Sequence, residues 1–284
     1  MKFLKGLALF ILSFLLFLSL SILGLALMIN QTILNPDFVI AQVDRLDIAS
    51  LAGEMLSEQV PPEVDELTGE AVAKVISDTI TDLEPWLKEQ AGDAVYSIYY
   101  YLEGRSQSLS LVISLEPMKQ SLRENLGEAA LQASPAAIES YLEKIPSTFE
   151  FNEASLGAEG MAQFEQARQY VGYFHLGYKL LIVFILLLIA GIVLINRQVK
   201  GATRAIGSTF LSYGIPSYAG ILVAKHLAGT QIAQLDIPTS LQTWLPQLIK
   251  DTLAPLEMFS LGLLVTGVAL LIVSFVYKRG EPSS

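Results

Sequence analysis

His175, Lys179, Lys225, His226 and Glu257 are the side chains whose types and spacing come nearest to a chemical site, because each stands at or beside the end of a long apolar run. His175 and Lys179 are one helical turn apart, Lys225 and His226 are adjacent, and Glu257 directly precedes the run that starts at Met258. An ammonium left unpaired in hydrocarbon costs several kcal/mol, so these groups must reach the interface or pair. One reading is a polar rim that takes an anionic lipid or ligand, or borders a path between helices. The simpler reading is interfacial anchoring, with Tyr170, Tyr173 and Tyr178 as part of an aromatic belt. All these groups fall at one depth, and Glu257 is expected to pair with Lys179 or Lys225.

Other chemistry is largely excluded. Cysteine is absent, which removes disulfides, thiolate-bound zinc, iron–sulfur clusters and thiol nucleophiles. Only two histidines are present, so a multi-histidine metal centre is ruled out. There is no GxSxG, HExxH or phosphate-binding glycine loop, and no catalytic residue, cofactor or metal is assigned. Tyr96, Tyr99, Tyr100 and Tyr101, with Trp86 nearby, could form a carbohydrate or peptide platform. The plainer expectation puts Tyr96 and Tyr99 or Tyr100 in a core, with Tyr101 half exposed. Acid pairs such as Glu63/Asp65/Glu66 and Glu150/Glu153 read as a solvated face, since calcium-loop spacing is missing.

The elements that must position these residues follow from composition. The 284 residues are 52% hydrophobic and 16% charged, against roughly 25% charged in soluble domains. Residues 6–29, 180–195 and 258–277 contain no charged side chain. The expected architecture is mostly α: a four-helix transmembrane bundle, with a large extracytoplasmic helical domain containing a small hairpin-like sheet between spans one and two. Residues 1–29 form the first span, read as a signal anchor because its apolar run of 24 residues, ~36 Å as a helix, exceeds the roughly 7–15 residues of a cleaved signal. An acidic helical domain follows over 30–173, a second span over 174–196 and a basic cytoplasmic turn over 197–204. The third span occupies 205–226, an outer loop 227–257, the fourth span 258–277 and a cytoplasmic tail 278–284.

The third span rests on parity. Ser208, Thr209, Ser212, Gly214, Pro216, Ser217 and Gly220 dilute its hydrophobicity and suggest a helix packed inside a bundle, kinked at Pro216. If it crosses, Lys2, Lys5, Arg197, Lys200, Arg204, Lys278 and Arg279 all share one side with a single acid, Glu281, as the positive-inside rule requires. Residues 31–175 hold 8 basic and 24 acidic side chains, a net of −16, which excludes nucleic-acid binding. This outline resembles that of ABC permeases with a large periplasmic domain and of claudin-like proteins. The chain lacks the cysteine pair of the latter, and has only the turn at 197–204 where the former carry a coupling segment.

Within the acidic domain, Asn35-Pro36-Asp37 starts a helix expected to reach about Glu58, and Pro61-Pro62 breaks it. Further helices are expected over 62–83 and over 85–103, the latter closed by Gly104. Alternation over Ser108–Leu115 predicts a half-buried strand, paired with a second over Ser147–Phe151. Helices are expected over 117–132 and 135–144, and one from about Ala158 straight into the second span. The functional expectation is a non-enzymatic multi-pass protein of the cell membrane, both termini cytoplasmic. Its outer domain is expected to bind a protein partner or ligand as a sensor, scaffold or accessory subunit of an envelope complex. The alternative is a transporter or permease subunit using the kinked third span. The lipid bilayer and a membrane or envelope protein are the expected partners.

Overall fold

The computed structural model describes residues 2–51, 66–129, 143–232, 234–235 and 237–276. It is mostly helical, with one antiparallel two-stranded sheet. In order come α1 (Lys2–Gln31), α2 (Pro36–Asp44), α3 (Glu66–Leu102), β1 (Ser110–Ser114), α4 (Glu116–Ala129), β2 (Thr148–Asn152), α5 (Glu153–Asn196), α6 (Val199–Ile232) and α7 (Thr239–Val276). Two compact units result: a bundle unit of residues 1–35, 172–233 and 246–284, and a sheet unit of residues 36–171 and 234–245.

In the bundle unit, four helices share one buried core. Leu16 and Leu20 of α1, Ile185, Leu188 and Ile192 of α5, Ile206, Phe210 and Tyr213 of α6, and Leu263 of α7 meet there. Its outward surface is apolar as well: Phe10 is 69% exposed, Leu187 64%, Leu194 73% and Phe275 71%. Water would penalise so large an apolar surface, while lipid does not. Among the described residues, three helices are long and apolar enough to cross a membrane: Phe3–Gln31, Ser155–Asn196 and Thr239–Val276. The helix α6 is not one of these. Of its diluting residues, Gly214 and Ser217 pack against α7 and Thr209 is buried, and the helix runs through Pro216 unbroken.

The boundaries in this unit differ from the expected ones where helices outlast their apolar runs. The basic turn of 197–204 contracts to Arg197 and Gln198, with Lys200 and Arg204 already in α6. The outer loop of 227–257 is mostly helix, because α6 continues to Ile232 and α7 starts at Thr239 despite Pro246 and Pro255. The tail 278–284 lies outside the described residues.

In the sheet unit, α2 stops at Asp44 rather than near residue 58. The Asp47 carboxylate accepts hydrogen bonds from the Ser50 amide (2.8 Å) and hydroxyl (2.7 Å) and caps a new helical segment over 48–51. The remainder of that expected helix lies outside the described residues. Pro85 does not divide α3, although it removes one backbone donor. The turn that contains it is spanned by the Glu84–Lys88 ion pair (2.7 Å), and Lys88 also donates to the Asp44 carbonyl at 2.7 Å. Gly104, at φ 75, ends α3 as expected, with Arg105 N–H donating to the Tyr100 carbonyl at 2.8 Å.

The sheet pairs Leu111 with Phe151 and Ile113 with Phe149 on one face. The Ser97 hydroxyl of α3 donates to the Ser110 carbonyl at 3.2 Å and ties β1 to that helix. The Asn125 amide of α4 lies within hydrogen-bond distance of Thr79 (3.2 Å), Asp82 (3.0 Å) and Ser121 (3.3 Å), joining α4 to α3. The expected helix over 135–144 falls almost entirely outside the described residues. The tyrosine order is the reverse of the expected one: Tyr101 is 2% exposed and Tyr100 45%. Phe164 lies edge-on to Tyr101, and the Arg168 guanidinium stands 5.1 Å from its ring centre, so α5 supplies the cover that composition could not reveal.

Candidate functional site: the α6–α7 seam

The helices α6 and α7 run antiparallel, and small residues on both let their backbones touch. A β-carbon at Gly207 would stand 2.9 Å from the Gly267 carbonyl oxygen, and one at Gly267 would stand 3.0 Å from the Gly207 carbonyl oxygen. At Gly214 it would lie 3.1 Å from the Ser260 carbonyl oxygen and the Leu264 amide. Only glycine fits such an approach, which is how helices gain packing energy where lipid offers no hydrophobic drive.

Polar contacts punctuate the seam along its length. At one end Lys225 and Glu257 form an ion pair, their side chains 20% and 26% exposed. The Ser217 and Ser260 hydroxyls are 2.8 Å apart, and Ser260 also donates to the Leu256 carbonyl at 2.8 Å. At the far end the Ser274 hydroxyl donates to the Lys200 carbonyl at 3.1 Å. Each polar side chain is therefore satisfied within the helix pair, as a water-poor setting requires.

Of the rim residues singled out by sequence, Lys225 and Glu257 are brought together, and Lys225 is the lysine that pairs with Glu257. His175 lies edge-on to Phe174 on α5. Lys179 and His226 are exposed, and neither makes an ion pair with a described residue. The five groups thus do not converge on a point. What the Lys225–Glu257 pair can do chemically is neutralise two charges between the bodies of two helices and fix the register of α6 on α7. Sequence reasoning chose Ser208, Ser212 and Gly220 as packing residues, yet these three are exposed. It missed Gly207, Ser260, Gly267 and Ser274, whose signal was a seven-residue recurrence on each helix: 207 and 214, then 260, 267 and 274. No protein-family profile, no curated protein and no solved structure matches the chain.

Proposed function

We propose that the chain is a four-span, non-enzymatic protein of the cell membrane whose sheet unit lies outside the cytoplasm and binds a partner protein or ligand. The role is that of a sensor, scaffold or accessory subunit of an envelope complex. The observation that carries this reading is the membership of the sheet unit, which contains residues 234–245 as well as 36–171. The chain leaves that unit at Val171 and re-enters it at Gln234, so if α5 crosses a bilayer then α6 must return. The charge pattern agrees: four spans gather the short basic clusters on one side and leave the acidic domain on the other.

The filled core of the bundle unit and the backbone contact between α6 and α7 support a structural role over transport, because a substrate path would have to part them. Binding by the sheet unit draws support from its exposed Tyr100, Val112 and Phe149. The test is purification from native membranes with photo-crosslinkers at Tyr100, Val112 and Phe149. The same partner captured in stoichiometric amounts supports the proposal. Substrate flux by the chain reconstituted alone, with no crosslinked partner, overturns it in favour of a transporter.

A further inference from the structure

A cavity of about 530 Å³ opens where α5 gives way to α6, lined by Val193, Leu194, Arg197, Gln198, Val199 and Ala202. Its walls are aliphatic, and its polar members are the two residues of the turn itself. Arg197 is held at φ 51, the left-handed region, and is the one non-glycine residue there among the described residues. Helices commonly end on such a conformation, with glycine strongly preferred because a β-carbon is strained in it. An arginine retained in that position at a cavity is the kind of backbone outlier from which a functional constraint is argued.

Among the described residues, the charge around the turn is all of one sign. Lys200 and Arg204 follow on the first turns of α6, and the Lys5 ammonium of α1 donates to the Asn196 carbonyl at 3.4 Å. No Asp or Glu occurs between Glu165 and Asp236. The carboxylates among the described residues of this unit, Asp251 and Glu257, lie towards the other end of α7. Glu257 is ~26 Å along that helix from Ser274, which touches Lys200, and it is already paired with Lys225. Among the described residues, then, four cations surround the turn without a carboxylate to neutralise them.

We infer that this cavity is a binding site for an anionic phospholipid. The headgroup phosphate is held by the Arg197 guanidinium, in the field of Lys5, Lys200 and Arg204, and an acyl chain lies along Val193, Leu194, Val199 and Ala202. Guanidinium suits a phosphodiester because it can offer two parallel N–H donors. The aliphatic walls select a lipid over a soluble phosphate, which would leave them facing water. This inference rests on the membrane-spanning reading, since the site takes its ligand from the bilayer.

The experiment is native mass spectrometry of the full chain released from mixed micelles of phosphatidylglycerol and phosphatidylcholine in equal amounts. One phosphatidylglycerol is expected to be retained in preference to phosphatidylcholine. Arg197→Gly removes the cation while relieving the strained turn, so the chain stays folded and the preference falls; each cation near an anionic lipid surface is worth about fivefold in occupancy. Arg197→Gly with Lys200→Gln lowers it further, and Lys250→Gln, which removes an exposed charge away from the turn, leaves it unchanged. Equal retention of the two lipids, a preference untouched by Arg197→Gly, or displacement by millimolar glycerol phosphate would each overturn the site. Carbonate-washed membranes read the spanning assumption separately: a chain that stays in them yet shows no lipid preference refutes the site alone.

Discussion

The indole N–H of Trp244 donates to the backbone carbonyl of Gln42 at 3.0 Å, across 202 positions of sequence. Gln42 lies in the last turn of α2, where carbonyls have no acceptor role left inside the helix. Trp244 and Lys88 between them cap that end, and the segment after α6 becomes part of the sheet unit. Trp244→Phe keeps the ring and removes the donor, at a cost of about 1 kcal/mol. Hydrogen exchange in α2 should accelerate about fivefold while that of α6 stays as it was. Unchanged exchange in α2 would show that the contact holds nothing.

The Lys225–Glu257 pair predicts a coupled mutational response. Glu257→Gln should lower the melting temperature in detergent, and adding Lys225→Gln should cost less than the sum of the separate changes, with a coupling of about 1 kcal/mol. Lys179→Gln should be additive with Glu257→Gln, because Lys179 makes no ion pair with a described residue. Additivity for Lys225 would reduce the pair to two independently solvated groups.

Glycines divide sharply by what a β-carbon would meet. Gly207→Ala and Gly214→Ala place a methyl against backbone of α7 and should each destabilise the chain by about 1–3 kcal/mol. Gly220→Ala, on the same helix, meets nothing within 4 Å and should be neutral or stabilising by up to about 1 kcal/mol. Thermal unfolding of the three variants in one detergent tests the seam, and equal effects at all three positions would count against it.

Stability of the sheet unit should fall at both extremes of pH. The Ser50 amide and hydroxyl hold the Asp47 carboxyl below its usual value, so its contribution is present above the ordinary carboxylate range and is lost as pH falls through the folded-state value. The Tyr96 phenol donates to Asp37 at 2.7 Å, and this bond raises its pKa above the usual value of about 10. Its contribution is complete below about pH 10 and is lost as pH rises through the folded-state value. Trp86 and Trp244 both belong to this unit, so tryptophan fluorescence reads its melting directly. Asp47→Asn should flatten the acid limb and Tyr96→Phe the alkaline limb. A limb left unaltered removes that group from the account.

Sequence periodicity was enough for the strand pairing, since alternation over Leu109, Leu111 and Ile113 has no helical explanation, and the strand bounds fell within about two residues of those expected. It was enough for the apolar helices too. Helix ends were less legible, because Pro85, Pro246 and Pro255 lie inside continuous helices, where a proline removes one backbone donor without ending the helix. The burial of Tyr101 depended on Phe164 and Arg168, more than sixty positions away, which no local pattern encodes. The rim was legible only as chemistry at a common depth. Which lysine met Glu257 depended on the α6–α7 register, fixed by Gly207 and Gly267 and hidden from a search for polar groups.

The central claim is that residues 36–171 and 234–245 share one side of the membrane, opposite the turn at Arg197. Because the chain has no native cysteine, single substitutions Glu124→Cys, Thr243→Cys and Lys200→Cys report on this without background. A membrane-impermeant maleimide applied to intact cells should modify positions 124 and 243, and should reach position 200 only after the membrane is opened. Labelling of 200 from outside, or protection of 243 while 124 reacts, would contradict the four-span account.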